Sequence, residues 1–219
     1  MAHVDSEAEY RTANLSLRRE AKDWLDEKVP EGAAITSDGR PFRDKRVPAD
    51  SAKRFFELTG ASQKSLEEDW KTTSKTTCNA FCGRFSEAMR LGTLNHLDLR
   101  DHVRKDRLAA WIPADSGQRP KPGDIVLHFF PGFWHTNVTR SLVGDEWITV
   151  DGGQGGPKAG HDVITRVLRS FSESRAKGYV QGWIDIERYH ELLSFARSQR
   201  IAAGALGHLW VDPDDRLVH

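Results

Sequence analysis

The sequence predicts an α+β fold in which helices come first and a small antiparallel sheet follows. Two patterns carry that expectation. Up to about residue 111 the apolar residues recur at three- and four-residue spacings. After "GQRPKPGD" they alternate in short runs separated by Gly-, Pro- and Asp-containing turns. Length is the third observation: 219 residues bury a core without covalent staples, so disulfides are not the stabilising device here.

Residues 6–29 read as an amphipathic helix through Leu15, Leu17, Ala21, Trp24 and Leu25, closed by Pro30. Gly, Pro and scattered charge mark "EGAAITSDGRPFRDKRVPAD" as a loop. Two short helices follow: "DSAKRFFELTG", capped by Asp50 or Ser51 and stopped by Gly60, and "SQKSLEEDWKT", capped by Ser62. In "SKTTCNAFCGRFSEAMRLG" Phe81, Phe85, Ala88 and Met89 share a side and Thr76 or Thr77 can cap, so Cys78 opens a helix. A further helix is expected through "LDLRDHVRKDRLAAW", ending before Pro113.

The strands begin with "DIVLHFF", behind a Pro-Gly-Asp turn. Next come "HTNVTRSL" and "EWITVDGG", joined by a hairpin turn at "GDE", then "DVITRVLRSF" and "YVQGWIDI", about five strands in all. "ERYHELLSFARSQR" is again helical, and "VDPDDRLVH" reads as a poorly packed end. The expected organisation is a helical segment over 1–71 packed on a core over 72–186, with a C-terminal helix and tail over 187–219.

Thirty-two basic and 32 acidic residues cancel, and the isoelectric point is near 7.1, so no global field draws the chain to nucleic acid or an anionic membrane. No run approaches the roughly 20 apolar residues of a membrane span. The first residues lack the positive flank and apolar stretch of a secretory signal. The chain is therefore expected to be made in the cytoplasm, with export by a route that reads no such signal and action in a target-cell periplasm.

The two cysteines, Cys78 and Cys82, stand one helical turn apart. No second closely spaced His or Cys pair complements them as zinc ligands, and a C-x₃-C pair along one helix face suits neither a disulfide nor a redox motif. Neither metal nor cofactor is called for. Cys82, beside Phe81 and Phe85, reads as a buried thiol. Cys78 differs because a helix N-terminus lowers a thiol pKa from about 8.5 into the range of roughly 3.5 to 7.5.

A thiolate nucleophile needs a base and a group to orient it. His135 begins an alternating strand, and Asp151 ends the next one, where a hairpin can bring it beside the imidazole. Taken singly, His135 is also readable as a strand-edge histidine and Asp151 as a turn residue. His128 is an alternative base, but it shares a face with Val126 and Phe130 and reads as buried. Trp134 and Phe133 either line a substrate groove or cover the sheet. "DGGQGGPKAG" reads as a mobile rim of the cleft.

The ordered set "TTCNAFCGRF", "KPGDIVLHFF", "WHTNVTRSL", "ITVDGGQGG" and "GYVQGWIDIERY" resembles the papain-like cysteine amidases of the CHAP and NlpC/P60 group, over residues 72–186. The resemblance implies a papain-like core with Cys78 as nucleophile, His135 as base and then acid, and Asp151 as orienting residue. The sequence departs from the group's commonest pattern at Thr136 and Asn137, where an apolar residue and glycine are usual. Asp151 stands where Glu, Asn or His is often found. The oxyanion would be held by the Cys78 N–H and by a donor among Thr72, Thr73 and Ser74, hydroxyls that equally suit a helix start.

The implied function is a thiol hydrolase of amide bonds in peptidoglycan peptides, similar to antibacterial toxins delivered by type VI secretion and to phage lysins. An immunity protein or a secretion carrier would be its partner. Two alternatives stay open on the residues alone: a deamidase or transglutaminase-type toxin acting on a protein glutamine, since the same geometry serves any acyl transfer, and a non-catalytic binding module.

Overall fold

The computed structural model describes residues 4–72, 77–92, 94, 99, 109–156 and 158–204, the side chains of 4–15, 72 and 196–204 excepted. The side chains of Leu15 and Thr72, residues Thr73, Ser74 and Thr76, most of the helix expected over 97–111, and the C-terminal end from residue 205 lie outside what the structure describes.

The fold is mixed α+β. Seven strands are described: β1 Ala34–Thr36, β2 Trp111–Pro113, β3 Ile125–Phe130, β4 Phe133–Val143, β5 Glu146–Asp151, β6 Val163–Ser170 and β7 Val180–Ile184. They form one antiparallel sheet in the order β1-β6-β5-β4-β3-β7-β2. The described helices are α1 Val4–Lys28, α2 Ser51–Thr59, α3 Gln63–Thr72, α4 Cys78–Ala88, α5 Phe171–Ala176 and α6 Ile186–Gly204.

The local signals hold where they are chemically specific. Gly60 stops α2 in the left-handed conformation at φ 64°, its N–H bonding the Phe56 carbonyl. Ser62 Oγ accepts from the Ser65 N–H at 3.1 Å and caps α3. Asp50 occupies the N-cap of α2 without a side-chain cap bond. Ser51 Oγ instead accepts from the Thr36 N–H at 2.7 Å and so ties α2 to β1.

Three expectations fail. "AIT" inside the expected loop pairs with β6 as the sheet-edge strand β1. Trp111–Pro113 is a strand paired with β7, not a helix end. Phe171, expected to close a strand, starts α5 after the Ser170 cap, whose Oγ accepts from the Glu173 N–H at 3.1 Å. Each of the two missed strands is three residues long, too short to show a period, and is fixed by a partner distant in sequence.

Alternation along the strands separates two packing faces. Ile125, Leu127, Val138 and Val150 cluster with Phe81, Cys82 and Phe85 of α4 and with Leu17, Ala21 and Leu25 of α1. Truncating a buried phenylalanine such as Phe81 or Phe85 would cost about 3–5 kcal/mol. Val126, Trp147, Trp183 and Phe171 form a second cluster on the other face. Phe171 contacts both Trp147 and Trp183, three strands apart, so that face is concave.

The Pro-Gly-Asp turn positions β3. Asp124 is buried and accepts from Arg18 Nη1 and from the Lys121 N–H, both at 2.8 Å. Arg18 also reaches Asp185 and Glu187 at 2.8 Å, locking α1 to the start of α6. Burial pushes the Asp124 carboxyl up to about 6 despite the Arg18 charge.

Candidate active site

Cys78 is the first residue of α4, as the sequence pattern expects. Thr77 precedes it but does not cap with its own side chain. Instead its N–H and its hydroxyl donate to Asp162 Oδ2 at 2.9 and 3.0 Å, so a buried carboxylate from the start of β6 fixes the helix N-terminus. Asp162 is held in turn by the Val163 and Gly155 N–H groups at 2.8 and 3.3 Å and by Ser37.

Gly152 lets β5 approach α4. A Cβ built there would stand 2.9 Å from the Thr77 carbonyl oxygen and 3.2 Å from Cys78 Cα. The first glycine after Asp151 is therefore packed beneath the cysteine, not part of a loose rim.

Across that junction lies His135, whose register neighbours are His128 on β3 and, diagonally, Asp151 on β5. His135 Nε2 is 2.6 Å from Asp151 Oδ2, and the His135 side chain is also hydrogen-bonded to Cys78. With Nε2 engaged by the carboxylate, Nδ1 is the nitrogen left for the sulfur. Cys78 and His135 each keep 5% exposure and Asp151 none, so the row is almost wholly screened from solvent.

Electrostatics follow from that burial. Burial alone would lower the His135 pKa, but the hydrogen bonds and charges of Asp151 and Cys78 outweigh it and raise the imidazole to about 9. Burial would raise Asp151, yet Arg169 and His135 hold it well below the usual carboxylate range. Cys82 is fully buried, and burial pushes its thiol well up. The two cysteines, alike in sequence, thus sit in opposite environments: one hydrogen-bonded to an imidazole, one sealed in the core against Thr136.

Arg169, Thr149, Asn137 and Asp162 have supporting roles that the sequence does not disclose, whereas His128 is buried as its strand pattern predicts. Arg169 on β6 grips Asp151 with both terminal nitrogens, Nη2 at 2.6 Å from Oδ2 and Nη1 at 3.1 Å from Oδ1. Thr149 donates to Asp151 Oδ1 at 2.5 Å and also accepts from Arg169. Asn137 Nδ2 donates to Asp151 Oδ2 at 3.3 Å and to His128 Nε2 at 3.0 Å. His128 is fully buried between Phe130 and Trp147, and burial pushes it down to about 3, so it is a neutral acceptor and not a second base. A period-two reading of the hairpin would have found Asn137 and Thr149, which share their face with His135 and Asp151. Arg169 and Asp162 carry no comparable local signal.

Of the aromatic candidates, Phe133 is 56% exposed, and half-buried Trp134 packs on Phe129 with ring centroids 4.8 Å apart. Phe130 lies 5.2 Å from Phe133 and 6.1 Å from His135. Phe130, with Phe133 packed on it, makes an apolar rim on the face of the imidazole, whereas Trp134 packs against the core cluster on the α4 face. A separate 560 Å³ cavity is lined by Trp24, Arg54 and Arg84 and includes none of Cys78, His135 and Asp151.

No protein-family model, no curated protein and no solved structure matches the chain.

Proposed function

We propose that the chain is a cysteine amide hydrolase with a papain-like core, acting on peptidoglycan peptides as an antibacterial toxin or lysin. The observation that carries the reading is the hydrogen-bonded row Cys78, His135, Asp151, with the sulfur at the first residue of α4. Thiol, imidazole and carboxylate linked in that order make a nucleophile, its base and an orienting group. The choice of peptidoglycan rests on the resemblance of the ordered motifs to the CHAP and NlpC/P60 amidases.

In this mechanism the helix N-terminus favours the Cys78 thiolate, and His135 is the imidazolium that keeps its proton to about pH 9. The Cys78 sulfur adds to the carbonyl carbon, and the oxyanion is stabilised by the backbone N–H at the start of α4. His135 then gives its proton to the leaving amine and the C–N bond breaks, leaving a thioester on Cys78. Neutral His135 next takes a proton from water as its oxygen attacks the thioester. The acid is released and the thiolate–imidazolium pair returns. Asp151 fixes the ring orientation in both half-reactions. Exposed Phe133, on the same face of β4 as His135, would contact the peptide next to the scissile bond.

Incubating purified cell wall with wild type and with Cys78→Ala tests the proposal. New free amino groups in muropeptides, produced by wild type alone, are expected, together with lysis when wild type is directed to the periplasm. Intact muropeptides, with a protein glutamine converted to glutamate, would replace the wall-hydrolase reading by the deamidase one. Loss of neither amide would reduce the site to a binding module.

A further inference from the structure

The geometry points to Arg169 as a positioning residue that keeps Asp151 ionised through the whole catalytic cycle, so that an aspartate and arginine together act as one neutral orienting group for His135. The role rests on reading Cys78 as nucleophile and His135 as its base.

In a site closed to solvent, charges must be balanced by neighbouring groups. Asp151 has no exposure, and its carboxylate is shared among His135 Nε2, both terminal nitrogens of Arg169, the Thr149 hydroxyl and the Asn137 amide. The groups with charge or titratable protons around the His135–Asp151 pair are Cys78 from α4, His128 from β3 and, on the carboxylate, Arg169 from β6. Cys82 lies behind Cys78 in the core, within electrostatic reach of it and of Asp151. His128 is neutral, so the balance is struck among Cys78, His135, Asp151 and Arg169.

Two states of the cycle make different demands on Asp151. While His135 is imidazolium, the carboxylate has a cation on either side. After His135 has protonated the leaving amine it is neutral, and Arg169 becomes the one cation touching Asp151 among the described residues. A fully buried carboxylate beside a neutral imidazole would draw a proton back into the pair, because burial penalises its charge. His135 would then hold its proton too tightly to act as base toward water. The guanidinium at 2.6 Å removes that penalty whatever the state of His135. Its fork geometry leaves Oδ2 aimed at Nε2 while Thr149 and Nη1 occupy Oδ1. A neutral side chain in place of Asp151 would need no such partner, so the need for Arg169 arises from the aspartate itself.

The test is a double-mutant cycle of Asp151→Asn and Arg169→Gln, read by histidine NMR titration in the full-length protein. The His135 signal is assigned through its loss in His135→Ala. In Arg169→Gln, His135 is expected to titrate about one unit or more above wild type, since a positive charge near it has gone and, among the described residues, His135 itself is then the one cation touching Asp151. Acyl-enzyme should accumulate because deacylation slows more than acylation. In Asp151→Asn, the unpaired Arg169 charge should drive His135 below wild type and destabilise the fold. The double variant is expected to be more stable than Asp151→Asn and to turn over faster than either single variant.

An unmoved His135 titration in Arg169→Gln would overturn the inference, as would a double variant no better than its singles. If Arg169→Gln is too unstable to titrate, the ranking of the double variant against Asp151→Asn still decides. The titration needs no substrate, so the expected shifts in a protein that leaves cell wall intact would sink the proposed function and not the role of Arg169.

Discussion

Gly152→Ala tests whether the approach of β5 to α4 sets the geometry of the site. The backbone of Gly152 lies outside the left-handed region, so the added methyl acts through crowding alone. Its Cβ would stand 2.9 Å from the Thr77 carbonyl oxygen, 3.1 Å from Phe81 Cβ and 3.2 Å from Cys78 Cα. Two of the three contacts are backbone atoms of the α4 N-terminus and cannot swing aside, so helix and strand must separate by roughly half an ångström to restore ordinary contact. Overpacking of this kind costs about 1–3 kcal/mol. In a chain of this size that corresponds to a fall in Tm of about 3–10 °C. The same separation moves Cys78 off His135, and misplacement approaching 1 Å costs up to ~10²-fold in rate. The expected result is a drop of about 10- to 100-fold in kcat with KM little changed, measured on muropeptide release beside a thermal melt. A variant with wild-type Tm and wild-type kcat would refute the reasoning. A melt lowered without loss of kcat would show that the contact supports the fold but not the alignment of Cys78.

The two thiols should part company in labelling: iodoacetamide at neutral pH is expected to alkylate Cys78 much faster than Cys82, with Cys82→Ala leaving both the labelling and turnover of Cys78 intact, as read by tandem mass spectrometry that localises the label within the tryptic peptide 76–84. The kcat/KM profile should fall on its alkaline side with an apparent pKa near 9, as the imidazolium loses its proton. Stability should follow the same groups in both directions. His135 is raised on folding, so its contribution is full below about 6.5 and is lost as pH rises through about 9. His128 is lowered to about 3, so its contribution is full above about 6.5 and is lost as pH falls toward 3. Asp151 adds to the acid loss, because its depressed pKa stabilises the fold only above the unfolded carboxylate range. Urea midpoints across this span should therefore peak near neutrality, and a midpoint that stays level through pH 9 would contradict the assigned state of His135.

What the sequence discloses about the site is what lies within a few residues of its own signal. The helix opening at Cys78, the Pro-Gly-Asp turn and the Gly144–Asp145 hairpin are local features, and the structure has all three. His135 and Asp151 are legible because one hairpin carries both. Thr136 and Asn137, which look like departures from the amidase pattern, turn out to face opposite ways. Thr136 contacts Cys82 under α4, while Asn137 joins Asp151 to His128. The N-cap signal of Ser170, whose Oγ accepts from the Glu173 N–H, is local to the chain and starts α5. Arg169 could not be read in the same way. An arginine on an alternating strand ordinarily reads as solvated, and its reach to Asp151 depends on the pairing of β5 with β6 in a register that only the folded sheet fixes.

That dependence extends into the N-terminal segment, whose role periodicity could not assign. Ser37, just past β1, accepts from the Asp162 N–H at 2.9 Å and donates its own N–H to the Asp162 carbonyl at 2.9 Å. Asp162 in turn holds Thr77, the residue before Cys78. A path of buried hydrogen bonds thus runs from the sheet edge to the residue before Cys78. Ser37→Ala removes the acceptor of one buried N–H, which costs about 1–3 kcal/mol. Asp162→Ala strips two donors on Thr77 and should cost more. If the path aligns Cys78, both variants lower kcat, Asp162→Ala the more strongly, and Asp162→Asn recovers part of the loss because one carbonyl oxygen can still accept. If both variants melt earlier yet turn over at the wild-type rate, β1 and its Ser37 contact serve the stability of the sheet alone, and the alignment of Cys78 must come from Gly152 and the packing of Phe81.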